Sequence, residues 1–248
     1  MRKTLVFLLL LLTAGWRSAE NSNDLLLSYC SQFRELYENI ANASISPDSA
    51  SRAFTHIMQG VKSIAFYQDS CQFDTIQAVF PVKGYRPVVS IGGQGRGYKP
   101  DGFDLFDVEV KGSHPAHDLF ILDRNRDSRD DRTKEPVDIL SFSSGIILDV
   151  QNDWQPESGR RGGNYVWIYD PCRNGLFYYA HFNSVVVEQG SWINPGDKLG
   201  EVGRTGLNAT RKRSDTHLHL MFLRMNTQGL PVPENTFEQL MSSRVTAK

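Results

Sequence analysis

Asp215-Thr216-His217-Leu218-His219-Leu220-Met221-Phe222 reads, after a polar lead-in, as a buried β-strand that carries two histidines. Side chains two apart on a strand share a face, so His217 and His219 project side by side. Two imidazoles on one rigid face suit a metal, and they equally suit a hydrogen-bonded structural pair. The pair alone leaves both readings open.

The same β texture extends on either side of this stretch. From Phe80-Pro81-Val82 onward, short apolar runs are split by Gly and Pro: Pro87 to Ile91, Phe103 to Val110, Ile146 to Val150, Tyr165 to Tyr169, Leu176 to His181, Val185 to Val187 and Lys198 to Val202. Many short strands with closely spaced turn signals predict an all-β sandwich or barrel. Pro231-Val232-Pro233 and a helical segment over Thr236 to Ser242 close the chain.

Upstream the period changes. Leu26, Leu27, Cys30, Phe33, Leu36, Tyr37 and Ile40 recur at three and four residues, Ser46-Pro47-Asp48 breaks the pattern, and Ala53, Ile57, Val61, Ile64 and Ala65 begin a second helix. This predicts a small helical hairpin whose apolar stripe must be covered, docked beside the cleft of the β domain. It serves as a packing appendage, or as an autoinhibitory pro-segment or docking surface. Met1-Arg2-Lys3, the run Leu5 to Leu12 and Thr13-Ala14-Gly15 have the order of a signal peptide, too short in its apolar part to span a bilayer. The expected organisation is therefore a leader over 1–19, a helical region over 20–78, a β domain over 79–228 and a tail over 229–248. The leader implies export to a periplasmic or extracellular space.

The chain of 248 residues can bury an ordinary core, and its formal net charge of -1 gives no reason to expect nucleic acid. Three Cys in an oxidising compartment leave one over. Cys30 and Cys71 flank the N-terminal region and form the expected disulfide, with Cys172 free in a turn.

Of the six His, only His56 lies outside the span from His114 to His219. Gly112-Ser113-His114-Pro115-Ala116-His117-Asp118 is extended or turning, because the residue before a proline avoids the helical region. His114 and Asp118 can then curl around one ion, whereas an extended chain points His117 away from Asp118. Tyr178-Tyr179-Ala180-His181 ends an aromatic strand, and a glycine-rich ribbon from Gly196-Asp197 to Thr205-Gly206 leads towards His217. No H-E-x-x-H occurs, which excludes a helix-based zinc protease. Asp123, Asn125 and Asp127 alternate as in a calcium loop, but the later Gly and distal Glu are missing and arginines interleave, which favours a solvated loop.

H-x-x-x-D at His114 and Asp118, Y-A-H at His181, the G-D-x-L-G-x-V-G-x-T-G ribbon and H-L-H at His217 and His219, in that order, resemble the lysostaphin/LytM-type zinc metalloendopeptidases of peptidoglycan. The resemblance covers about Phe80 to Met225. It implies an open antiparallel β-sandwich of the duplicated hybrid motif type. It also implies one Zn2+ per chain held by His114, Asp118 and His219, with His181 and His217 as catalytic imidazoles. The implied substrate is the peptide stems and cross-bridges of peptidoglycan. Two neutral His and one carboxylate leave a fourth position open to water, as a catalytic zinc site requires. Ala116 replaces a usual Gly, and Asp215-Thr216 replaces a usual Gly-Pro-like approach to H-L-H. The alternatives are a non-catalytic module that binds or activates another wall hydrolase, against which the complete ligand set counts, and a zinc peptidase of exported proteins.

Overall fold

The computed structural model describes residues 4–64, 78–109 and 112–247, with side chains from 22 onward. The leader expected over 1–19 lies outside the described side chains. Two helices, α1 (Thr4–Ala41) and α2 (Pro47–Ser63), form the hairpin. Ser46 caps α2 by accepting the Ser49 N–H at 3.3 Å, and Pro47 opens the first turn, where its missing N–H is harmless.

Among the described residues nine strands follow: β1 (Ala116–Phe120), β2 (Asp138–Leu140), β3 (Gly145–Gln151), β4 (Asn164–Asp170), β5 (Gly175–Val185), β6 (Trp192–Ile193), β7 (Lys198–Val202), β8 (His217–Met225) and β9 (Pro231–Pro233). They pair antiparallel in the order β1-β8-β5-β4-β3-β6, with β7 branching from β5 to carry β2, and β9 on the edge of β8.

Period-two alternation sends β4 and β5 into two cores. Tyr165, Trp167, Tyr169, Leu176 and Tyr178 join Met221 and Leu223 of β8 against the hairpin residues Leu26, Phe33, Leu36, Phe54 and Met58. Val166, Ile168, Phe177, Tyr179, Leu218 and Phe222 face the other way, against Ile139 of β2, Leu199 and Val202 of β7 and the segment around Phe80. Both faces of the central strands are covered, so every residue of β4 is buried. Burying each large side chain in these layers contributes about 1.5–3 kcal/mol, and the hairpin stripe is thus a structural layer of the fold. The sandwich has the β2–β7 layer on one side and two helices on the other.

Three sequence expectations are corrected. Pro87–Ser90 is a helical turn, α3, started by the fixed φ of Pro87. The run from Phe103 to Glu109 forms turns instead of a strand. There the Asp104 carboxylate accepts the Phe106 N–H at 2.8 Å and Asp107 accepts the Glu109 N–H at 2.9 Å, replacing ladder partners with local ones. Finally, Cys30 is a free, buried thiol donating to the Ile147 carbonyl at 3.7 Å, whereas Cys172 is disulfide-bonded. Cys30 lies on the stripe that faces β3, with its thiol turned to the Ile147 carbonyl of that strand. Cys71 lies outside the described residues. The segment Thr236 to Ser242 is helical as expected, over α4 (Phe237–Ser242).

Candidate active site

Register brings the site together. Asp118 of β1 lies opposite His219 of β8, Phe120 lies opposite His217, and Ala180 of β5 lies opposite His219 from the other side. Alternation places Asp118, His217 and His219 on the hairpin-facing side of the sheet, near its end. His114 enters from the segment before β1, bridged to Lys99.

His181 requires a departure from the ladder. It follows Ala180, which packs on the hairpin side, so a regular strand would turn its ring into the opposite core. The β4–β5 register instead shifts between Tyr165↔Ala180 and Asn164↔Phe182, leaving His181 as the extra residue of a bulge. Its φ is 71°, and its N–H donates to the Gly162 carbonyl at 2.9 Å. A bulge re-aims one side chain, and the His181 ring comes to 4.9 Å from that of His217 and 5.7 Å from that of His219.

Three of the side chains share one oxygen. Asp118 Oδ1 lies 3.3 Å from His114 Nε2, 3.1 Å from His219 Nδ1 and 3.7 Å from His217 Nε2. His114, Asp118 and His219 each offer a donor atom within 4.8 Å of the others, a set that could hold a metal ion. Ligands bound at about 2.0–2.1 Å around a tetrahedral zinc lie roughly 3.3 Å apart, close to the two shorter separations. Burial, the strongest single influence, raises the Asp118 carboxyl, but hydrogen bonds from His114 and His219 and the charges of His219 and His217 hold it far below the usual carboxylate range. The carboxylate is ionised and faces three imidazoles. His114 is raised, first by its hydrogen bond to Asp118 and against burial, while burial lowers His219.

Backbone carbonyls orient three of the rings. His114 Nδ1 donates to Gly97 O at 3.0 Å, His181 Nδ1 to Thr205 O at 2.8 Å and His217 Nδ1 to Asp215 O at 2.7 Å. A carbonyl only accepts, so Nδ1 carries a proton in all three rings and Nε2 faces inward; the raised His114 donates from its Nε2 to Asp118. His181 is pushed down to about 3, mainly by burial and then by His217 and His219, and is neutral at ordinary pH. These carbonyls escape any reading based on residue type.

His117 points away. It stacks on Tyr98 at 5.5 Å and bonds Asn235 Oδ1 through Nε2 at 3.0 Å on the opposite face of β1. The calcium-like loop is self-satisfied: Asp123 accepts the N–H groups of Asp127 and Ser128 at 3.1 and 2.9 Å, and Asn125 donates to Asp127.

A cleft of about 670 Å³ opens over the cluster. Tyr37, Ile40 and Asn42, from the end of α1 and the turn after it, line one wall, and the loop Ser158–Gly163 lines another. Glu38 and Arg160 connect these walls at 3.8 Å. The hairpin thus borders the cleft, which the sequence suggested only as a docking position.

Residues 129–232 match the profile of peptidase family M23. The match covers less than half of the chain. The matched span holds His181, His217 and His219, while His114 and Asp118 lie just N-terminal to it. No curated relative matches the chain. Among solved structures, a zinc-containing peptidase from Vibrio cholerae is similar at 20% identity and a TM-score of 0.40, over 68% of this chain and 41% of that one. Lysostaphin, the antimicrobial peptidase from Staphylococcus simulans, is similar at 19% identity and a TM-score of 0.40, over 64% of this chain and 53% of its own. The isolated catalytic domain of lysostaphin is similar at 18% identity and a TM-score of 0.37, over 69% of this chain and 98% of that domain. The chain thus spans about two fifths and about half of the first two structures. Among the described residues, no helix is long and apolar enough to cross a membrane.

Proposed function

We propose that the chain is an exported zinc metalloendopeptidase that hydrolyses peptide cross-links of bacterial peptidoglycan, in the periplasm or outside the cell. The observation that carries this reading is the convergence of His114 Nε2, His219 Nδ1 and one Asp118 oxygen beside two further imidazoles whose Nε2 lone pairs face the same space. The M23 match supports the reaction class.

His114, Asp118 and His219 would hold one zinc per chain. When bound, zinc supplies Lewis-acid polarisation of the scissile carbonyl and acidifies water to a pKa of about 7. The remaining work falls to His181 and His217. His181, neutral and fixed by Thr205, accepts a hydrogen bond at Nε2 and orients the attacking water. His217 takes up a proton at Nε2, 3.7 Å from the Asp118 oxygen, and returns it to the leaving amine. The open cleft gives a peptide room to lie across both rings. Two imidazoles with separate roles count against a non-catalytic module.

The test is digestion of purified sacculi of several chemotypes by the zinc-loaded protein, with released peptides identified by mass spectrometry. Fragments are expected from the parent and not from His181→Ala or His217→Ala, both of which still bind zinc. If no chemotype were cut and the variants matched the parent, the reading would be wrong.

A further inference from the structure

The departure of Asp215-Thr216 from the family's approach to H-L-H and the polar loop after β1 meet in one buried network. Thr216 and Asp123 are 1% and 5% exposed, and Thr216 Oγ1 donates to Asp123 Oδ2 at 2.6 Å. The same hydroxyl accepts from Arg204 Nη1 at 3.1 Å, and that guanidinium also donates to the carbonyls of Ser214 at 2.8 Å and Arg211 at 3.1 Å. The Thr216 carbonyl accepts the Ile121 N–H at 3.2 Å. Asp123 is itself fixed by the two loop N–H groups, so Thr216 is held by main chain and side chain at once.

Thr216 stands between Asp215, whose carbonyl takes the His217 Nδ1 proton, and His217 itself. Arg204, which grips this segment, precedes Thr205, whose carbonyl takes the His181 Nδ1 proton. Thr205 is in turn locked, its hydroxyl accepting the Asn164 N–H and donating to the Phe182 carbonyl, each at 2.8 Å. One dipeptide therefore touches the supports of both imidazoles.

We propose that Asp123, Thr216 and Arg204 form a positioning device that holds His217 in its Nδ1–H tautomer and in register with His181. The device rests on the reading of His217 as a catalytic imidazole. Asp123 takes, in this chain, a role that its loop sequence disguises as calcium binding, and the threonine hydroxyl supplies rigidity to a strand approach that carries no proline.

The experiment compares Thr216→Val and Thr216→Ser with the parent, all zinc-loaded. The tautomer of His217 is read by 15N NMR at fixed pH, and kcat and KM are measured on a soluble cross-linked muropeptide. Thr216→Val is expected to retain one zinc, to show mixed His217 tautomers and to lose about tenfold or more in kcat with KM little changed, in the range of supporting hydrogen bonds. Thr216→Ser, which keeps the hydroxyl, is expected to restore the parent tautomer and rate. Should Thr216→Val fail to fold, Asp123→Asn is read by the same two signals, with mixed tautomers and reduced kcat expected. A parent-like tautomer and kcat in the folded valine or asparagine variant would overturn the proposal. If the parent cuts no muropeptide, the peptidase reading fails, while the tautomer comparison still decides whether this network positions His217.

Discussion

His181 and His217 face each other with ring centroids 4.9 Å apart, although strand alternation alone would bury His181 on the opposite side of β5. The bulge, with its left-handed residue and its bond to the Gly162 carbonyl, is what brings the two Nε2 atoms to one space. Non-glycine residues held at positive φ carry a conformational cost of about 1–3 kcal/mol, sustained only where surrounding contacts over-determine them.

Gly163 tests that support. Its φ is 68°, and an added Cβ would lie 2.3 Å from the Thr205 carbonyl carbon, the group that fixes His181. Gly163→Ala is expected to lose about 1–3 kcal/mol of stability and to lower hydrolysis of sacculi while zinc binding persists. Thermal melts and zinc stoichiometry alongside the digest check it, and parent-like activity would separate the His181 orientation from this contact.

Zinc should stabilise the fold through His114, Asp118 and His219. At free zinc about a hundredfold above Kd the gain is about 2.7 kcal/mol, visible as a rise in Tm that a chelator reverses. Asp118→Asn is expected to abolish both the shift and stoichiometric zinc. An equal shift in that variant would place the ion elsewhere.

Asp138 links β2 to its neighbours, with Lys198 Nζ at 2.7 Å and Lys83 Nζ at 2.9 Å. Burial raises its carboxyl, yet hydrogen bonds and charges from Lys198 and Lys83 lower it by more, leaving it below its ordinary value. The folded pKa is below the unfolded one, so the contribution is present above about pH 3.9 and lost as pH falls further. Both lysines are well exposed, and Asp138→Asn is expected to cost about 1 kcal/mol or less at pH 7. Denaturant melts at pH 7 and pH 3 should show the difference from the parent closing at the acid end; a pH-independent difference would contradict the ion-pair account.

Cys30 reports on hairpin docking. Burial, and then the charge of Asp149, pushes its thiol up to about 12. It should resist alkylation in the native protein at pH 8 and react on unfolding. Phe33→Ala, which opens a cavity between α1 and Trp167, is expected to cost about 3–5 kcal/mol and to speed labelling. Rapid labelling of the native parent would show that the hairpin is not held down as described.

The hairpin and the H-L-H strand were legible because both depend on local periodicity. Ser46-Pro47 terminates one helical pattern and caps the next through contacts a few residues away, and β8 puts His217 and His219 on one face through alternation alone. The strand expected around Phe103 was lost for an equally local reason, since Asp104 and Asp107 satisfy nearby N–H groups. The Cys30 expectation failed because this thiol is buried against β3, and sequence spacing does not say which face meets the sheet.

By itself, then, the sequence determined the β texture, the helical stripe and the residue types that can gather around a metal, all set by short-range sterics and spacing. Only the tertiary structure decided that His181 turns to the cleft, that Asp123 is buried beneath Thr216, and that the end of α1 walls the site. Those outcomes rest on contacts between segments far apart in the chain: Gly162 and Thr205 with His181, Arg204 with Thr216, and Glu38 with Arg160. Such contacts arise from the packing of strands and loops against one another, and no periodicity in the chain encodes them.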